Sequence, residues 1–80
     1  MSDDDITVLR LGTYIESNGG YVQDHKPAGQ NTTVVLCFLP QNKVTPWVVH
    51  TYDEKTGICY KGDYCWTLDE AVTTFKNRRW

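Results

Sequence analysis

The chain has no long apolar run, so it offers no candidate for a membrane-spanning helix of about 20 residues. It is poor in cysteine and histidine: three cysteines, an odd number, and two histidines. Structural zinc sites usually place ligands in pairs two to four residues apart. Here Cys59 and Cys65 are separated by five residues, and His25 and His50 have no cysteine or histidine neighbour at that spacing. No metal or other cofactor is expected, and three reduced thiols in a reducing compartment fit this usage. A nucleophile motif is also missing, with no Gly-rich elbow or flanking signature around any cysteine. No catalytic residue is assigned, and the expectation is a protein that is not an enzyme. Charge of one sign is scarce too. Eight basic and ten acidic residues leave a net charge of −2, against the basic balance of a general nucleic-acid binder.

What is present is a set of short β-type runs, good turn signals and one helix. Eighty residues make one domain, spanning 1–80, and a domain of that size buries only about 60–65% of its unfolded surface. Met1 to Asp5 is acidic where a secretory signal would be basic and then apolar, so we expect a frayed end and a cytoplasmic protein. Ile6 to Leu11 alternates like a strand, with Gly12 as a weak point and Tyr14-Ile15 as its extension. Asn18-Gly19 supplies the positive φ of a tight hairpin turn, and Tyr21 to Gln23 is the return strand. Asp24 to Thr32 reads as a polar loop punctuated by Pro27 and Gly29. Thr33 to Leu39 is apolar on both faces, the pattern of a central strand covered on both sides.

The second half is the better organised. Trp47 to Tyr52 is a strand after Pro46, and Asp53 to Gly57 is a turn. Ile58 to Lys61 is a short strand, a bend follows at Gly62-Asp63, and Tyr64-Cys65-Trp66 leads into a helix. Thr67-Leu68-Asp69-Glu70 has the capping-box form, in which the Glu70 carboxylate reaches back to the Thr67 N–H. Leu68, Ala71, Val72 and Phe75 form one apolar stripe. Lys76, Arg78 and Arg79 complement the helix dipole and, with Trp80, make a small basic and aromatic tail. The fold class predicted is α+β: an antiparallel meander of four or five strands with the C-terminal helix packed on one face.

For function, the ten aromatics exceed what one helix on one sheet needs to cover. Tyrosine and tryptophan dominate interface hot spots, so a protein partner is the first expectation. Self-association as a homodimer is the simplest cover for exposed sheet edges. Loop tips held on stiff strands are where recognition residues collect. The binding residues predicted are Tyr52, Asp53 and Glu54 at the hairpin tip, Tyr60 on its return strand, and Asp63 and Tyr64 at the next bend. The plainer alternative is a solvated turn with Tyr52 and Tyr60 as a cross-strand pair.

The stretch WVVHTYDEKTGICY, then YCW, then TLDEAVTTFKNR, under half the chain, resembles small phage-encoded anti-defence proteins, anti-CRISPRs among them. The resemblance implies a non-enzymatic inhibitor that binds a host protein or ribonucleoprotein complex by steric occlusion, with no membrane involvement. With acids and bases mixed and a net charge of −2, steric blocking suits this chain better than mimicry of nucleic-acid charge. The second expectation is a small nucleic-acid- or nucleotide-binding accessory domain, with sheet aromatics stacking bases.

Overall fold

Apolar alternation and turn chemistry lay the described residues out as five strands and one helix. The computed structural model describes residues 10–79. The elements are β1 (Tyr14–Ile15), β2 (Gly20–Gly29), β3 (Thr32–Phe38), β4 (Trp47–Asp53), β5 (Cys59–Cys65) and α1 (Leu68–Asn77). All neighbouring strands pair antiparallel in sequence order, giving the expected α+β meander with its C-terminal helix. The frayed Met1 to Asp5 segment and most of the Ile6 to Leu11 strand fall outside the described residues. Arg10 itself sits in a turn, accepting from the Thr13 N–H at 3.1 Å.

The first hairpin closes through Glu16-Ser17-Asn18-Gly19. Gly19 takes φ 71° and donates to the Ile15 carbonyl at 2.8 Å, while the Asn18 side chain accepts from the Gly20 N–H at 2.8 Å. Two expectations are corrected beyond it. The polar stretch from Asp24 is strand as far as Gly29, paired with β3 from Leu36 to Thr32. Its mostly exposed positions accept polar residues, and Pro27 is accepted beside a bulge. Its turn is Gln30-Asn31, with Asn31 at φ 59°. Likewise β5 does not bend at Gly62-Asp63. It runs through as one strand, with Lys61 at φ 55° and a bulge that sets Lys61 and Gly62 opposite His50. A β-carbon at Gly62 would collide with the His50 imidazole, 2.7 Å from its Cδ2, so the bulge needs glycine there.

β3 is the central strand, and Thr33 to Cys37 are buried on both of its faces. One face carries Val34 and Leu36 with Val49 and Cys65, and α1 covers it with Ala71 and Phe75. Leu68, the first residue of the predicted stripe, stays exposed. Burying Phe75 contributes about 1.5–3 kcal/mol, which a ten-residue helix needs to persist. The opposite, inner face gathers Ile15, Val22, Val35, Cys37, Leu39, Val48 and Tyr52 without any helix. The sheet curls to close this face. The first hairpin's turn comes to rest on β4 and β5, with Ser17 Oγ 3.3 Å from Cys59 Sγ and Asn18 Nδ2 3.3 Å from His50 Nδ1.

The ends of α1 are fixed by specific groups. Thr67 Oγ1 accepts from the Glu70 N–H at 3.2 Å, as a capping box requires. The Glu70 carboxylate, however, accepts from the Trp66 N–H at 2.8 Å and not from Thr67, so the box closes one residue earlier. At the other end Arg78 is not part of a free basic tail. Its side chain is 9% exposed and turns back under the helix. It donates to the Val49 carbonyl at 3.0 Å, to Thr51 Oγ1 at 2.9 Å and to Asp63 Oδ2 at 3.1 Å. Val49 and Asp63 flank the β5 bulge, so the guanidinium fills the gap the bulge opens in the ladder.

Two stability outcomes follow. Thr67→Ala removes the cap and is expected to cost about 1 kcal/mol, a fall in melting temperature of roughly 4–8 °C. Arg78→Met keeps the apolar stem but leaves the Val49 carbonyl and Thr51 hydroxyl without their donor, at about 1–3 kcal/mol. Arg79→Met, at an exposed position, serves as the control and is expected to leave the melting curve unchanged.

Candidate functional site

The six residues predicted at the hairpin tip do not form one surface. Tyr52 is 4% exposed and belongs to the inner core, so it is not available as an aromatic anchor in the folded chain. It pairs across the ladder with Cys59, whereas Tyr60 pairs with Thr51. The two tyrosines therefore lie on opposite faces and are not a cross-strand pair. The carboxylates are engaged within the chain. Asp53 Oδ1 accepts from the Lys55 N–H at 2.9 Å and the Thr56 N–H at 3.4 Å. Glu54 accepts from the Thr33 hydroxyl, and its N–H donates to the Asn31 carbonyl at 2.9 Å, which ties the tip to the neighbouring hairpin. Asp63 pairs with Arg78 on the helix face. Tyr64 lies opposite Val48 on the inner side, its ring edge-on to His50 at 5.8 Å. Tyr60 and Tyr64 are exposed, but on different faces.

Cys37, Cys59 and His50 form a polar seam on the inner face, with Cys59 only half-buried, while Cys65 lies on the helix-covered face. Cys37 is fully buried, and burial pushes its thiol up to about 11, against the lowering effect of a hydrogen bond from Asn18. Burial raises Cys59 and Cys65 as well. All three cysteines are free thiols that stay neutral at physiological pH, without the thiolate that nucleophilic chemistry requires. The His50 nitrogen facing Asn18 accepts from a side-chain amide, so the neutral imidazole fits the site. Burial lowers its pKa, the Arg78 charge lowers it further, and Asp63 opposes both. Among the described residues no group of three or more His, Cys, Asp or Glu side chains could hold a metal ion. No helix among them is long and apolar enough to cross a membrane.

A different surface emerges from strand register. Tyr14 lies opposite Tyr21, Tyr21 opposite Phe38, and Phe38 opposite Trp47. Directly paired residues share a face, so four rings on four adjacent strands make one row across the sheet. They are on the face that carries α1, since Trp47 is in turn opposite Cys65 of the helix-covered core. The row consists of two tilted pairs. Tyr14 and Tyr21 have ring centroids 5.1 Å apart, and Phe38 and Trp47 4.9 Å apart. Tyr14 is 51% and Tyr21 41% exposed, while Phe38 and Trp47 are half-buried. The helix starts only after Trp66; Trp47 packs against the core that the helix covers, while Tyr14 and Tyr21 stay exposed. Sequence reasoning groups Trp47 with Tyr52, Tyr60, Tyr64 and Trp66 as aromatics that could stack bases, and places Tyr14, Tyr21 and Phe38 in no site. The available signal was their position, since each pair flanks a single hairpin connection.

His50 carries a pH prediction. Its folded pKa lies below the ordinary 6.5, so the unfolded chain takes up a proton first as pH falls. Its contribution to stability is fully present above about pH 6.5 and is lost progressively below it, toward the depressed folded value. Melting temperature is expected to fall between about pH 7 and about pH 5, and His50→Gln is expected to flatten that part of the profile. An unchanged slope in the variant would place the titration elsewhere.

No protein-family model, no curated protein and no solved structure matches the chain, so the aromatic row and the polar seam must be read from their own chemistry.

Proposed function

We propose that the protein is a non-enzymatic binding protein that inhibits a cytoplasmic protein complex by occupying part of its surface, in the manner of small phage-encoded anti-defence proteins. The observation that carries this reading is the row Tyr14, Tyr21, Phe38 and Trp47, in register on four strands, with Tyr14 and Tyr21 exposed and Phe38 and Trp47 half-buried. Rings stiffened by cross-strand packing present apolar area at little entropic cost, which is how aromatic hot spots act. Burial disfavours the thiolate of Cys37, which fits binding better than nucleophilic catalysis. A second reading rests on the same rings, which could stack the bases of a single strand. It gains little from Arg78, which is committed to β4 and Asp63.

Affinity capture from bacterial lysate with three baits separates these readings. The wild-type chain and the Asp53→Lys/Glu54→Lys variant are expected to retain the same protein partner, because the tip carboxylates serve the turn. Tyr14→Ser/Tyr21→Ser is expected to lose it, with a fall of roughly 30-fold in affinity if either ring is a hot spot of about 2 kcal/mol. Loss in the charge-reversed bait alone would return the site to the hairpin tip. Capture abolished by nuclease would favour nucleic acid.

A further inference from the structure

The charges around the row define the chemistry of its partner. Asp24 pairs with Leu36, one step in from Phe38 on the same face, and is exposed. Glu16 follows β1 directly, and Asp69 and Glu70 occupy the first turn of the helix that begins beside Trp47's partner Cys65. Basic residues are fewer at this end. Arg10 precedes β1 and Lys43 lies in the β3–β4 loop. Lys26 is directed away, with its ammonium 5.0 Å from the Phe75 ring centroid and donating to the Lys76 carbonyl at 3.3 Å. Among the described residues at this end, Glu16, Asp24, Asp69 and Glu70, the last already accepting from the Trp66 N–H, outnumber Arg10 and Lys43, a balance that repels a phosphate backbone and attracts cations.

Resting on the reading of the row as a protein-binding face, we infer that its partner is an extended basic polypeptide segment whose arginines lie on the ring pairs. Guanidinium groups stack on tyrosine and tryptophan faces, gaining cation–π attraction, and the surrounding carboxylates supply the longer-range complement. The spacing agrees with an extended ligand. The two ring pairs are two strands apart, about 9.6 Å at ~4.8 Å per strand. Residues three apart in a polyproline II segment are separated by about 9.3 Å. Arginines at every third position would therefore meet both pairs.

The test uses the full chain labelled with ¹⁵N and a capped peptide with arginine at every third position in a Pro/Ala background. Its controls are the same peptide with glutamine for arginine and an oligothymidylate of similar length. The arginine peptide is expected to shift the amides of Tyr14, Tyr21, Phe38 and Trp47. Its affinity is expected to fall about tenfold for Glu16→Lys/Asp24→Lys, whose circular dichroism matches wild type, and to weaken as salt rises. Absence of shifts along the row, or unchanged affinity in the charge-reversed variant, overturns the inference. Equal binding of the glutamine peptide at the row also overturns it, while keeping the row as a protein-binding face. Tighter binding of the oligothymidylate at the row overturns both.

Discussion

β3 is apolar on both faces, and the rest of the structure follows from covering both. One ten-residue helix can cover part of one face. The other face has no second helix, so the sheet has to curl until the first hairpin's turn rests on β4 and β5. Curling a short sheet needs local departures from regular pleating, and bulges in β2 and β5 supply them. Each device brings a compensating group. The β5 bulge interrupts the ladder between Val49 and Thr51, and Arg78 donates to both residues. The same bulge lies against His50, whose buried ring accepts from Asn18 and so ties the closing turn to the sheet.

The covering scheme also decides what remains available to a partner. Because the inner face is closed, Val35, Cys37 and Val48 are out of reach, and Tyr52 is enclosed with them. Because α1 is short and starts only at Leu68, Tyr14 and Tyr21 on its face stay exposed, with Phe38 and Trp47 half-buried beside them. The edges of the sheet are poor templates for another strand. β2 carries Pro27, which has no N–H to donate, and β5 is twisted by a bulge with Lys61 in the left-handed region. Side-chain recognition through the rings is therefore better supported than pairing of strand edges.

Local chemistry made several elements in both halves of the chain legible. The Thr67 cap, the stripe from Ala71 to Phe75, the Asn18-Gly19 turn and the two-sided β3 all depend on neighbours within a few residues. Composition misled at Asp24 to Gly29, since a mostly exposed strand has the residues of a loop. Gly62-Asp63 misled for a related reason, because a glycine inside a bulge has the same signature as a glycine in a bend. The tip residues Tyr52 to Glu54 were correctly placed along the chain, but burial and pairing with Asn31 and Thr33 depend on the adjacent hairpin. The aromatic row required the register of four strands at once. Half of it was readable, since Tyr14 and Tyr21 bracket one turn and Phe38 and Trp47 bracket the next long connection.

The central claim is that the first hairpin's turn closes the inner face and leaves the aromatic row of the helix face as the surface on offer. A nuclear Overhauser spectrum of the ¹³C,¹⁵N-labelled protein tests it directly. The account predicts cross-peaks from the Asn18 side-chain amide to the His50 ring and from Ser17 to Cys59, joining residues distant in sequence. Their absence, together with solvent-exposed methyl groups at Val22, Val35 and Val48, would show an open inner face. The apolar surface available to a partner would then be that face and not the row.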